Sequence, residues 1–304
     1  MSPFLLIMPL FIVMALGYVL KKLGVLDQPL VGYLNKLLTT VLLPALLFRS
    51  TSRTEISEVG SASLGFLAAV ILVAAVAIVV SLGVPRSARG AFIQSSFRGN
   101  LAYLGLPVVG AVFGEGAISV AAAILAAGLI LHVILTILLL QILDPDRPDL
   151  DLRANLKTIV TNPLILSAVA GLLFSATGLS LPTLLADPLD LLGRSALPLA
   201  LLVIGCTVSF RGIRARLSLT LLAVAFKLVL MPALAFVIMS FFFPAESEIL
   251  QIVVIMAASP TAILAQTFAE AFNADGHLAA ATVALSTILG LLAFPLWSAL
   301  LGIA

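Results

Sequence analysis

Apolar residues run along this chain in long unbroken blocks, not in the alternation of a half-buried strand or the one-sided stripe of a soluble helix. Three of them read "LLIMPLFIVMALGYVL", "SLGFLAAVILVAAVAIVVSLG" and "ISVAAAILAAGLILHVILTILLL". Each is close to the roughly 20 residues that cross a bilayer as a helix. Breaks rich in charge, Pro or Gly divide the sequence into ten such segments, at roughly 3–20, 34–50, 62–84, 91–113, 116–143, 158–177, 189–209, 217–243, 249–272 and 277–302. The pattern predicts an all-α membrane protein of ten transmembrane helices. The first segment has no basic stretch before it and is followed by Lys21 and Lys22, which predicts a retained helix and not a cleaved signal.

Composition agrees: 62% of the 304 residues are hydrophobic and 10% charged, and the mean hydropathy is +1.25, a balance that excludes a water-soluble domain. The net charge of +2 is spread over short loops with no basic stripe, so nucleic acid is not an expected partner. Cys206 is the single cysteine, which excludes an internal disulfide and a cysteine-only metal site, and its apolar surroundings mark it as a packing residue. No cofactor and no metal is expected. An intramembrane enzyme is the rival from another class, but neither H-E-x-x-H nor G-x-S-x-G occurs.

Ten crossings put both termini on one side. Lys21, Lys22, Arg86, Arg89, Arg147, Arg153, Lys157, Arg211, Arg214 and Arg216 fall in alternate loops, whereas the opposite loops hold little beyond Arg49, Arg53 and Arg194. The positive-inside rule then predicts a multi-pass protein with both N- and C-terminus outside. The polar stretch 144–157, "DPDRPDLDLRANLK", is expected to be a cytoplasmic linker between two halves, 1–143 and 158–304. A shift of 154 residues lays Pro9 on Pro163, Gly17 on Gly171, Gly24 on Gly178 and Pro44 on Pro198. Five crossings per half make matched helices run in opposite directions, so the expectation is two inverted five-helix repeats, a construction of secondary transporters.

Segment four contains "FRGNLAYLGLP", an arginine, an asparagine, a tyrosine, two glycines and a proline in an otherwise aliphatic helix. A helix so interrupted survives in lipid only where protein or a water-filled cavity satisfies its backbone. Segment nine carries the matching break in "MAASPTAILAQTFAEAFN", and the halves realign afterwards, Gly116 to Ala121 resembling Gly276 to Ala281 at an offset of 160. Paired broken helices point to a midplane site, and the N–H groups of half-helix N-termini suit an anion.

"FRGNLAYLGLPVVGAVFGEG", "NPLILSAVAGLL", "KLVLMPAL" and "ASPTAILAQTFAEAFNADG" resemble the corresponding segments of bacterial members of the auxin efflux carrier family, relatives of the plant PIN transporters. The resemblance covers all ten segments. It implies a fold like that of bile acid symporters and sodium/proton antiporters, with scaffold helices one, two, six and seven, transport helices three to five and eight to ten, and crossed broken helices four and nine. It also implies organic-anion substrates, an elevator motion and a homodimer through the scaffold in a bacterial inner membrane. The family's asparagine and crossing proline of helix four fall on Asn100 and Pro107, and its helix-nine proline on Pro260. Segment three has no charged residue like those near the site in plant members, so an indole-acetate substrate is not implied.

The candidate substrate-binding residues are Asn100, Tyr103, Pro107, Ser259, Pro260, Thr261 and Gln266, with Thr267 beside them. Asn100 offers two donors and an acceptor, enough for a carboxylate or for capping the broken helix. Tyr103 either lines the cavity or seats its ring at a helix contact, and the hydroxyls of segment nine either face the site or join helices. Arg98, Lys227, Glu270 and His132 are candidates for a charge or coupling role. Arg98 is close enough to a helix end to snorkel, Lys227 can pair with Glu270 or attract the anion, and Asp190 and Arg194 are spaced to pair along one helix. The function expected is export of small carboxylates by alternating access. A proton- or sodium-coupled carboxylate symporter and an anion channel are the alternatives.

Overall fold

A computed structural model describes residues 3–54, 56–143, 157, 160–207 and 216–303. Most of the linker expected at 144–157 lies outside them, as do Arg147, Arg153, Arg211 and Arg214. The described chain is helical: α1 Pro3–Lys22, α2 Gln28–Thr51, α3 Ile56–Ser81, α4 Arg86–Phe97, α5 Leu101–Phe113, α6 Ile118–Leu143, α7 Pro163–Ala176, α8 Thr183–Thr207, α9 Leu217–Ser240, α10 Glu248–Ala257, α11 Leu264–Ala271 and α12 Gly276–Leu300. Seven helices among the described residues are long and apolar enough to cross a membrane. Three apolar helices, α5, α7 and α10, are shorter. Segments four and nine are each split, into α4 and α5 and into α10 and α11.

Side chains start several helices. Asp27, Asn162 and Asp275 each accept a hydrogen bond from a first-turn backbone N–H (Leu30, Leu164 and Leu278, all at 2.9 Å), and Pro29 and Pro163 occupy first-turn positions, where a missing N–H does no harm. Proline shapes the interiors as well. Pro44, Pro107 and Pro232 each follow a π-turn, at Leu38–Leu42, Leu101–Gly105 and Phe226–Leu230. The widened turn lets the residue before each proline donate five positions back, to Leu38, Leu101 and Phe226. Pro232 also leaves the Leu228 carbonyl without its helical donor, and the Trp297 indole N–H fills that place at 2.9 Å.

Loop contacts sort the helix ends into two sets. At one end Lys21 reaches the Cys206 carbonyl, Asp275 N–H donates to Ser87, and Arg216 pairs with Asp275 at 3.3 Å. At the other, Ser175 donates to the Thr54 carbonyl, Gln251 to Leu301, and Arg194 meets Glu115. Helices α1 and α8 pack extensively against each other, as do α2 and α8, and α2 and α7. Glycine permits the first: a methyl at Gly17 would sit 2.2 Å from the Leu202 carbonyl oxygen, and one at Gly205 1.9 Å from that of Met14. Leu64, Val79, Leu173, Leu191 and Leu292 are exposed on outer faces, which suits contact with lipid.

The expected Asp190–Arg194 pair does not form. The Asp190 carboxylate is taken by Arg49, at 2.9 and 3.2 Å, and by Arg53 at 3.2 Å, while Arg194 turns to Glu115. A guanidinium fork gives two bonds to one carboxylate, which a flexible i, i+4 contact on a helix surface does not match.

Candidate functional site

The two breaks meet. Residues 98–100 and 260–262 lie antiparallel, with Gly99 paired to Thr261, Asn100 N–H donating to the Pro260 carbonyl at 2.7 Å, and Ala262 N–H to the Arg98 carbonyl at 2.9 Å. In unbroken helices these N–H groups would serve carbonyls four residues back. The partners left behind are replaced individually. The Ser95 carbonyl, which would have taken Gly99 N–H, accepts the Thr261 hydroxyl at 2.9 Å. Thr261 N–H donates to Ser286 Oγ at 3.0 Å, and the Ala257 carbonyl it would have served accepts Lys227 Nζ at 2.6 Å. Gln94 Nε2 adds a bond to the Ala265 carbonyl at 2.9 Å, tying α4 to α11. Every one of these groups is buried or nearly so, which is what a broken helix in lipid requires.

Two cations lie at this junction. Lys227 is 1% exposed, and its Nζ would lie 3.4 Å from a methyl on Gly99. Arg98 is 3% exposed and does not snorkel: its guanidinium stacks on the Phe268 ring, 4.2 Å from the centroid. Cation–π contact replaces part of the hydration lost there. Among the described residues no Asp or Glu is buried. Lys227 does not pair with Glu270, which is exposed and accepts Gln266 Nε2 at 2.8 Å.

Polar atoms without partners collect at the same place. Arg98 Nη1, Asn100 Nδ2, Ser259 Oγ, Gln94 Oε1 and Ser95 Oγ are buried and unbonded among the described residues. Asn100 makes no side-chain cap; its carbonyl accepts Leu104 and Gly105 N–H instead. Ser259 packs against Gly105, where an added methyl would come within 2.8 Å of its hydroxyl. His132 Nε2 is buried and unbonded too, with its ring between Phe66 and Phe97. Tyr103 directs its hydroxyl to Asn35 Oδ1 on α2.

Cavities flank the junction on both sides. One, of about 840 Å³, lies between α1, α2 and α8 and the α5–α6 region, and is lined by Pro107, Gly110, Arg49, Asp190 and Arg194 among others. The second, of about 900 Å³, separates α1, α2 and α8 from α11 and α12, and is lined by Lys21, Lys22, Cys206, Ile263, Gln266 and Thr267 among others. Of the residues expected at the site, Asn100, Pro260 and Thr261 are thus in the junction with Ser259 beside them, Pro107 and Gln266 line opposite cavities, and Glu270 lies outside the junction, bonded to Gln266. Gln94, Gly99, Ser286 and Phe268 were not foreseen; their signal was only position, within a turn or two of the breaks or on a neighbouring helix.

A family model described as "Membrane transport protein" matches residues 4–298. An uncharacterized transporter of Methanothermobacter thermautotrophicus is 26% identical, over 97% of both chains. A Rhizobium meliloti protein named "Putative malonate transporter" is also 26% identical, over 93% of this chain and 91% of its own. An uncharacterized transporter of Methanocaldococcus jannaschii is 20% identical over 98% of both. With apolar helices throughout and a family match over nearly its whole length, the chain belongs to the membrane transport protein family, the auxin efflux carrier group, and is a multi-pass membrane transporter and not an enzyme.

Proposed function

We propose that the chain is a secondary transporter of small carboxylates, with its substrate site at the crossing of the two broken helices. The observation that carries this is the charge at the junction: Arg98 and Lys227 are buried together with no buried carboxylate among the described residues. Buried charge is normally paired. A carboxylate from solution supplies the missing anion, taken by the unbonded Arg98 Nη1 and Asn100 Nδ2. The name of the Rhizobium meliloti relative makes malonate the first compound to try.

Alternating access through ten spans in two inverted repeats is supported by equivalences across the two halves. Gly24 and Gly178, 154 residues apart, both adopt the left-handed conformation, at φ 76° and 67°. The contact of α1 with α8 has its counterpart in that of α2 with α7. Where Gly205 lies against the Met14 carbonyl, its counterpart Thr51 donates to Ala168, the counterpart of Met14. On this reading α1, α2, α7 and α8 are the scaffold, through which two copies form a homodimer, and the remaining helices carry the site past it as an elevator. Both cavities lie along that boundary. An anion leaves a negative cytoplasm downhill by about 2.3 kcal/mol per charge per 100 mV, so export needs no coupled ion.

A thermal-shift series on purified protein tests the site. Malonate or another small carboxylate is expected to raise the melting temperature of the wild type and not of Arg98→Gln. Equal stabilisation of the two proteins, or none by any carboxylate, contradicts the assignment.

A further inference from the structure

The hydrogen bond between Tyr103 and Asn35 crosses the boundary along which an elevator would move. Tyr103 belongs to the π-turn that opens α5, three residues beyond Asn100, and its hydroxyl donates to Asn35 Oδ1 on α2. Both side chains are half-buried, and the same turn of α5 packs against α8. The pair therefore joins the arm that carries the crossing to two helices of the scaffold. It also stands in the band that separates the two cavities. Along α1, α2 and α8 the lining of one cavity gives way to that of the other between Val13 and Tyr18, Val31 and Leu46, and Leu201 and Cys206. Asn35 falls within the second of these intervals.

The inverted counterpart of this contact is apolar. At the offset of 154 that relates the scaffold helices, Asn35 falls on Leu189. Tyr103 falls on Ile263 at the offset of 160, and on Ala265 at the offset of 162 that the Gly99 pairing with Thr261 sets. None of these side chains can donate or accept. In an inverted repeat the two facings are reached by exchanging the conformations of the halves, so an α2–α5 contact in one state becomes an α8–α11 contact in the other. We propose that Tyr103 and Asn35 form a latch that holds one of the two transport states and opens in every cycle. Tyr103 is then a positioning residue that sets the balance of states, and not a substrate ligand. A hydrogen bond tolerates little change in distance, so a slide of α5 along α2 breaks it outright, and a bond made in one state only biases the equilibrium by its whole net strength. The inference rests on the alternating-access reading and not on the choice of substrate.

Two cysteine reporters in a Cys206→Ser background read the balance of states: Ser119→Cys in the cavity that contains Pro107, and Thr267→Cys in the cavity that contains Gln266. Each is labelled with N-ethylmaleimide in lipid nanodiscs, where the reagent meets both faces. Tyr103→Phe is expected to change the two labelling rates in opposite directions, and their ratio by about three- to tenfold. Asn35→Ala is expected to shift the ratio in the same sense, and the double variant no further than the larger single change. Should Tyr103→Phe fail to fold, Asn35→Ala alone carries the comparison. An unchanged ratio in folded variants overturns the proposal. So do rates that rise together at both reporters, which is local loosening, and single effects that add in the double variant. Loss of the malonate thermal shift in Tyr103→Phe at an unchanged ratio would make Tyr103 a substrate contact and also overturn it. A ratio that shifts as expected in a protein that binds no carboxylate keeps the latch and counts against the carboxylate reading alone.

Discussion

Lys227 Nζ donates to the carbonyl of Ala257 at 2.6 Å, filling with a side chain the place that the Thr261 backbone N–H vacates when α10 ends. The ammonium also lies at the negative end of α10. Lys227→Met is expected to leave that carbonyl unmatched and to destabilise the protein by about 1–3 kcal/mol, seen as a lower melting temperature in detergent. Arginine at the same position is crowded by Gly99 and is not expected to restore it fully. An unchanged melting temperature in Lys227→Met would remove the lysine from the structural account.

The α1–α8 contact sets a second expectation. A methyl at Gly205 would overlap the Met14 carbonyl oxygen, a backbone atom that no rotamer change moves aside. Gly205→Ala is expected to cost about 3 kcal/mol and to reduce folded yield sharply, whereas Gly32→Ala, which meets nothing within 4 Å, is expected to be tolerated. Size-exclusion profiles of the two variants decide.

Asn100 separates binding from folding. Its Nδ2 is unbonded and its structural contacts run through the backbone, so Asn100→Ala is expected to keep the folded yield while weakening carboxylate binding by about 1–3 kcal/mol. Titration of the thermal shift with malonate measures this. Wild-type affinity in the folded variant would take Asn100 out of the site.

Orientation follows from the loop charges. In whole cells of a Cys206→Ser strain, a cysteine placed at Glu246 is expected to react with an impermeant thiol reagent, and one at Asp149, outside the described residues, is not. The reverse pattern would invert the topology.

The helices were legible because lipid demands long apolar blocks, and the breaks because Gly, Pro and polar residues have no other reason to interrupt such blocks. The exchange of backbone partners between Gly99 and Thr261 was not, since it joins positions 162 apart and leaves no local pattern. Arg98 reads as a snorkelling cation by its distance from the helix end, and only the Phe268 ring, brought in from α11, explains why it stays inside. Asp190 and Arg194 illustrate the same limit: spacing suggested a pair, and Arg49 from another helix supplied a better one. Lys21 and Lys22 carried a topological signal in the sequence, while the cavity behind them exists only once α1 meets α11 and α12.

The central claim is that a carboxylate, and not a coupled cation, supplies the charge that Arg98 and Lys227 lack. A carrier that moves loaded and returns empty then transfers one anion's charge per cycle. Flux of labelled malonate from proteoliposomes, under an imposed potassium-diffusion potential or an imposed pH gradient, tests this most directly. Efflux is expected to accelerate when the interior is made negative, to ignore a pH gradient alone, and to persist in a Glu270→Gln, His132→Gln double variant. Malonate accumulation driven by a pH gradient with no potential, and lost in that variant, would contradict it.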